Sequence, residues 1–548
     1  MSLSRFYRAS CQRLLRLTSL VFVSTLFVCG HSAAQTSSPA AAQVLTNTAA
    51  NTSADTPADA PANPPADSAA LVYVPSVIRV NAERIRLPGK ENMGLLGTSY
   101  LVQVAPNVYF GPAAYGAFSG QRGGFFTVGA EASLRRAVTE FMDVEVGVYA
   151  GGGGGGAAPV GGGLMLRTHA DLTRDLGGYR AGVSVSQVRF PNGQIRSNQI
   201  GLVWSTNTDF RYFSRGQLGA SGLTANSAVV GRTGMGFDRV QAVAGFYSPR
   251  PGVTRISGAP LAAKIGLVGV RMERALTDNS YWGIEAAGAG GGGGGGGGGV
   301  AGYAEYLATL GTERAVWADH LVLGARGAVG MGGGGDVNVG GGLLLKAAAY
   351  GIVRLTHDMG LTLEGGYTRA PQGKFRALHA TAALNLILDD PYDASAPVRT
   401  SRTEWVGGAS RYKAARKDGT VRNLDAVTLK VNRFVLNNFY VTGQAHSAFA
   451  GGAGGYSVGF FGLGTQWPVF KRTRVGAELL AGAAGGGGVE TRGGALLQPM
   501  AYVDVTVTPQ LSLRLSGGKV KSLRGPFNSS VVDLSVAFAF GVTSHAYR

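Results

Sequence analysis

Beyond Leu71 large apolar residues alternate with small or polar ones, in short segments separated by turn residues. This period of two is the mark of strands that show different faces to different surroundings. In the last segment Val532, Leu534, Val536, Phe538 and Phe540 share one face, and Asp533, Ser535, Ala537 and Ala539 the other. Val144, Val146 and Val148 alternate in the same way with Asp143, Glu145 and Gly147. So do Leu511, Leu513 and Leu515 with Ser512, Arg514 and Ser516, and Val427, Leu429 and Val431 with Thr428, Lys430 and Asn432. A soluble β-sandwich or β-solenoid would also alternate, but its polar face meets bulk water and would be rich in Lys and Glu. Here the second face is mostly Gly, Ala, Ser and Thr with occasional charges, which suits the inside of a barrel whose outside meets lipid. After the first 34 residues no apolar run reaches the ~18 residues of a membrane-spanning helix, so a helical membrane protein is excluded.

A repeat overlies the alternation. Gly161-Gly162-Gly163-Leu164-Met165-Leu166-Arg167 matches Gly340-Gly341-Gly342-Leu343-Leu344-Leu345-Lys346 and, more loosely, Arg492-Gly493-Gly494-Ala495-Leu496-Leu497-Gln498. A glycine tract precedes each copy: Gly151 to Gly156, Gly332 to Gly335 and Gly485 to Gly488. Turn glycines Gly193, Gly373 and Gly525 follow the anchors 32, 33 and 33 residues on. Upstream, Gly123-Gly124-Phe125-Phe126, Gly298-Gly299-Val300-Ala301 and Gly454-Gly455-Tyr456-Ser457 each open a strand. Three units of about eight strands each, approximately 71–214, 237–389 and 402–541, predict an all-β transmembrane antiparallel barrel of about 24 strands, within a range of 20–26. One closed ring leaves no strand edge in the membrane. The alternative is three tandem eight-stranded barrels, since each even-numbered unit returns its end to the starting side. Glycine tracts serve turns and bends through their positive φ, or let backbone approach a ligand or widen the lumen.

Composition agrees. The chain has 88 glycines among 548 residues, 15% charged residues and a mean hydropathy of +0.10. Residues 1–34 combine Arg5, Arg8, Arg13 and Arg16 with an apolar stretch from Leu17 to Cys29 and a small-residue exit at Ser32-Ala33-Ala34, the layout of a secretory signal peptide. Lipoprotein processing at Cys29 is the rival, opposed by bulky Val28. Both cysteines, Cys11 and Cys29, lie in this segment, so cleavage after Ala34 leaves 514 residues without a thiol. Residues 35–70, rich in Ala, Pro, Thr and Asp, cannot bury enough apolar surface to fold and are expected to be a disordered periplasmic tether. Loss of the four signal arginines takes the formal charge from +18 to +14, a preference for anions.

Catalytic patterns are absent: the sequence has no Gly-x-Ser-x-Gly elbow, no His-Glu-x-x-His and no phosphate-loop Lys-Ser or Lys-Thr pair after a glycine tract. His169, His320, His357, His379, His446 and His545 are scattered, and His446 near Ser447 reads as a wall residue. The expectation is therefore no enzyme, no cofactor and no metal. Arg167, Lys346, Lys430 and Arg514 fall on the inward face as candidate lumen charges. The anchors Gly161, Gly162, Gly163, Gly340, Gly341, Gly342, Gly493 and Gly494 mark the repeat.

The signal segment, the alternating strands and a last strand ending Phe538-Ala539-Phe540 resemble the bacterial outer-membrane β-barrel superfamily over roughly residues 71 to 541, departing where Gly541 to Arg548 follow the aromatic end. The resemblance implies the outer membrane of a Gram-negative cell, contact with lipid and lipopolysaccharide, and insertion by the barrel assembly machinery. Two functions are open. One is a porin-like conduit or exporter, either for an anionic polymer such as exopolysaccharide with a periplasmic export partner, or for anionic solutes. The other is a non-conducting surface protein, an adhesin, receptor or scaffold. Nucleic acid is not an expected partner of an exported chain.

Overall fold

The computed structural model describes residues 71–213, 221–223, 233–292, 300–317, 320–356, 359–388 and 398–545. The signal segment and the tether, the glycines at 293–299 and most of the two inter-repeat breaks lie outside the described residues.

The alternating segments form β1 (Leu71–Arg86), β2 (Asn92–Ala105), β3 (Val108–Ser119), β4 (Phe126–Thr139), β5 (Met142–Gly154), β6 (Met165–Asp175), β7 (Tyr179–Arg189) and β8 (Arg196–Phe213). Consecutive strands pair, and β8 returns antiparallel to β1 with Asn207 opposite Val77, so the ring closes after eight. After the short β9 (Ser221–Leu223) come β10 (Arg239–Pro249), β11 (Ile265–Thr277), β12 (Ser280–Gly292), β13 (Ala304–Trp317), β14 (Leu321–Gly333), β15 (Leu343–Arg354), β16 (Met359–Arg369) and β17 (Arg376–Ile387). They close with Ala383 opposite Val243. The third ring is β18 (Val398–Ala415), β19 (Val421–Phe434), β20 (Phe439–Ala450), β21 (Ser457–Phe470), β22 (Thr473–Gly485), β23 (Ala495–Thr506), β24 (Leu511–Ser522) and β25 (Asn528–His545), closed with Phe538 opposite Trp405.

The single ring of about 24 strands expected from the repeat is therefore corrected to its alternative, three eight-stranded barrels in tandem. The physical reason lies in the interiors. Eight strands enclose a space just wide enough for side chains to fill, and the sparse inward charges find partners across so small a lumen. The closing strand is also longer than an aromatic end suggests, since β25 runs on past Phe540 with Gly541 opposite Arg402 and Val542 opposite Ser401.

The outer faces are apolar and exposed: Ile200 is 73% accessible, Leu202 67% and Leu463 65%. At one end the turns are short, as at 106–107, 140–141 and 176–178, and β1 begins there; at the other the connections are longer, as at 120–125 and 155–164.

Candidate functional site

Each barrel interior is filled by ion pairs. In the first, Arg79 bridges Glu145 at 2.7 Å and Asp171 at 3.3 Å and also pairs with Glu131. His169 lies between Glu131 and Asp171, with Nδ1 3.1 Å from Asp171. Arg167 reaches Glu83 at 3.0 Å, and Ser186 Oγ donates to the same carboxylate at 2.6 Å. In the second, Lys346 Nζ sits 2.7 Å from both Glu285 and Glu305, Arg326 spans Glu285 and Glu364, and Tyr247 and Tyr303 donate to Glu305 at 2.7 and 2.8 Å. In the third, Arg514 pairs with Glu404 at 2.8 Å and Asp504 at 2.9 Å, while Lys430 faces Asp533 at 3.7 Å and Glu478 at 3.9 Å.

All four expected lumen cations thus point inward, but in three separate barrels, and each is buried against carboxylates. Arginines are among the bulkiest fully buried side chains of the chain, Arg79, Arg167, Arg271 and Arg514 with them, so they act as packing as well as charge. Towards the long-loop end an apolar stopper closes each interior: Phe125 against Phe190, Tyr303 against Phe375, and Tyr456 against Phe527. His446 is a buried wall residue with Nε2 3.3 Å from Gln444 Oε1. His357 lies outside the described residues, and so does the side chain of His545. Among the described residues no group of three or more His, Cys, Asp or Glu is placed to hold a metal ion.

Sequence reasoning named the cations and missed most of their partners. Glu131, Glu285, Glu305, Glu364, Glu404 and Asp504 occupy the same inward register, each between small or apolar neighbours, as in Ala130-Glu131-Ala132. For Glu285 on β12 and Asp504 on β23, isolation on a strand with no other charge was the available signal.

The repeat glycines build a seam between barrels. Within each barrel the anchor folds back by one equivalent bond: Gly153 N donates to Gly163 O, Gly332 N to Gly342 O and Ala484 N to Gly494 O, at 3.0, 2.8 and 2.8 Å. A Cβ on Gly163, Gly342 or Gly494 would collide with the carbonyl oxygen of Ala448, Ala117 or Ala289, each on a strand of a neighbouring barrel. A second set repeats the rule. A Cβ on Gly302 would lie 2.8 Å from Gly486 N and one on Gly455 2.8 Å from Gly155 N, and one on Gly124 would meet Gly334 N. Gly302, with φ +95°, matches Gly124 at +86° and Gly455 at +91°. The counterpart in the second repeat is therefore Gly302-Tyr303, and not Gly298-Gly299, which fall outside the described residues. Gly123 N donates to Gly340 O at 2.9 Å and Gly454 N to Gly161 O at 3.0 Å, joining backbone to backbone across two junctions. Barrel three thus grips barrel one, barrel one grips barrel two, and barrel two grips barrel three, a head-to-tail contact that closes after three steps. Close approach, rather than turning alone, is what the tracts supply.

Barrels one and three meet again near the short-turn end, where Phe210 lies 4.9 Å from Trp405 and 5.1 Å from Phe540 between ring centroids.

No family model and no curated protein matches this chain. Among solved structures it is similar to Pseudomonas aeruginosa OccK11 (OpdR) at 12% identity, covering 86% of this chain and 96% of that one with a TM-score of 0.21. The outer membrane protein opdK of the same organism is similar at 10% identity, with 85% and 99% covered and a TM-score of 0.21. A ferric enterobactin receptor mutant of P. aeruginosa in complex with enterobactin aligns at 8% identity, with 85% and 81% covered and a TM-score of 0.28.

Proposed function

We propose that the protein is an outer-membrane protein of a Gram-negative cell whose three fused barrels span the bilayer without conducting, and that it acts as a surface scaffold through its long-loop end. The exposed apolar outer faces support membrane insertion: a water-soluble barrel would carry charge at the positions of Ile200, Leu202 and Leu463. The observation that carries the non-conducting reading is the pairing of Arg167, Lys346, Lys430 and Arg514 inside barrels stoppered by aromatic rings. Short turns facing the periplasm and longer loops facing outward follow the usual orientation of such barrels.

Planar-bilayer recording of the purified chain tests the reading. The expected result is an electrically silent membrane although the protein is inserted and migrates as a folded, heat-modifiable species. A conduit for an anionic polymer or for anionic solutes is the rival, and steady porin-scale steps with anion preference would establish it instead.

A further inference from the structure

The hairpins that carry the turn glycines also carry cations in equivalent places. Arg189 stands directly opposite Arg196 on β7 and β8, Arg369 directly opposite Arg376 on β16 and β17, and Lys521 opposite Asn528 on β24 and β25, with Lys519 one outward step behind. All six basic side chains are exposed on the outer face. Like charges directly opposite one another destabilise a sheet, and among the described residues none of the six has a carboxylate partner; Arg376 donates to a backbone oxygen, that of Pro251, at 3.2 Å. In barrels one and two a pair of cations held face to face without an acid forms a place for an anion, and in barrel three Lys519 and Lys521, side by side on the outer face of one strand, form its counterpart.

Position names the anion's source. Along β8 the outward series runs Arg196, Asn198, Ile200, Leu202, Trp204, and along β24 it runs back from Lys521 and Lys519 to Leu515 and Leu513. The cations therefore sit at the upper border of the apolar face, with room for acyl chains directly beneath. Resting on the outer-membrane reading above, which turns this border outward, we infer that the three hairpins bind the phosphate groups of an outer-leaflet glycolipid of the lipid A type, one site per barrel. A free phosphate would gain nothing from the apolar surface below the cations; a lipid uses both.

The test uses the full chain in detergent micelles, titrated with fluorescent bis-phosphorylated lipid A and with its dephosphorylated form. The intact chain should bind the phosphorylated lipid at least about tenfold more tightly, since a basic residue near an anionic surface contributes about 1 kcal/mol. The variant R189Q/R196Q/R369Q/R376Q/K519Q/K521Q should lose that preference while keeping heat-modifiable migration, because the changed side chains face outward. Equal affinity of the intact chain for both lipids, or an unchanged preference in the folded variant, overturns the inference. So does full competition by millimolar inorganic phosphate, which would show that the sites take phosphate itself. Failure of the chain to insert into bilayers would instead defeat the outer-membrane reading, whatever the lipid titration shows.

Discussion

Gly342 and Gly365 are alike in sequence terms and opposite in what surrounds them. The first has φ +108° and its missing Cβ would collide with Ala117 O of the neighbouring barrel; the second has nothing within 4 Å. Overpacking of this kind costs about 1–3 kcal/mol, so G342A should lower the temperature at which the folded band disappears on a detergent gel. G365A should leave it within the scatter of ordinary surface changes, about 0.5 kcal/mol. A matching loss in both would mean that the seam does not depend on glycine. Inside the second barrel, K346M removes the cation paired with Glu305, leaving that carboxylate with the hydroxyls of Tyr247 and Tyr303. Stranding a buried carboxylate costs about 3–5 kcal/mol. Denaturant unfolding in micelles should show that loss in K346M, and K346M/E305Q should recover part of it.

At the scale of the strand, β25 pairs with β18 beyond its aromatic residues, through Thr543 opposite Thr400 and down to His545 opposite Val398. A chain stopped after Phe540 should therefore still fold but release its third barrel at lower temperature than the intact protein, read by trypsin cleavage of that barrel during a thermal ramp; equal resistance would show those rungs to be idle. Strand type and spacing were legible because alternation is local: Val532 to Phe540 declares its two faces without knowledge of a partner. Closure was not legible. An antiparallel edge offers the same N–H and C=O groups to any newcomer, so nothing in β8 says that it returns to β1 rather than waiting for β10. For the same reason the spacing of the glycine anchors showed a repeat without showing which backbones would touch. The inward cations were read from alternation, whereas carboxylates such as Glu131 and Asp504 become partners only once the ring diameter is known.

For the molecule as a whole, the arrangement of barrels can be measured directly, because no cysteine follows Cys29. Phe126 on β4 and Tyr306 on β13 stack across the junction of barrels one and two with ring centroids 3.6 Å apart. The variant F126C/Y306C should be bridged within one chain by a short bis-maleimide; in a single ring the same strands would stand far apart around the wall, and no bridge would form. Closure within each repeat also bears on the order of events in the living cell. Val77 meets Asn207, a partner about 130 residues away, whereas a single ring would make β1 wait for a strand near the end of the chain. The longer wait adds only about 1 kcal/mol of loop-closure entropy. Its larger cost would be time, with an open strand edge exposed throughout export. On the outer-membrane reading, a chain built as three short circuits can finish one barrel while the next is still arriving, so that three barrels are made without any one strand edge staying open longer than a single barrel requires.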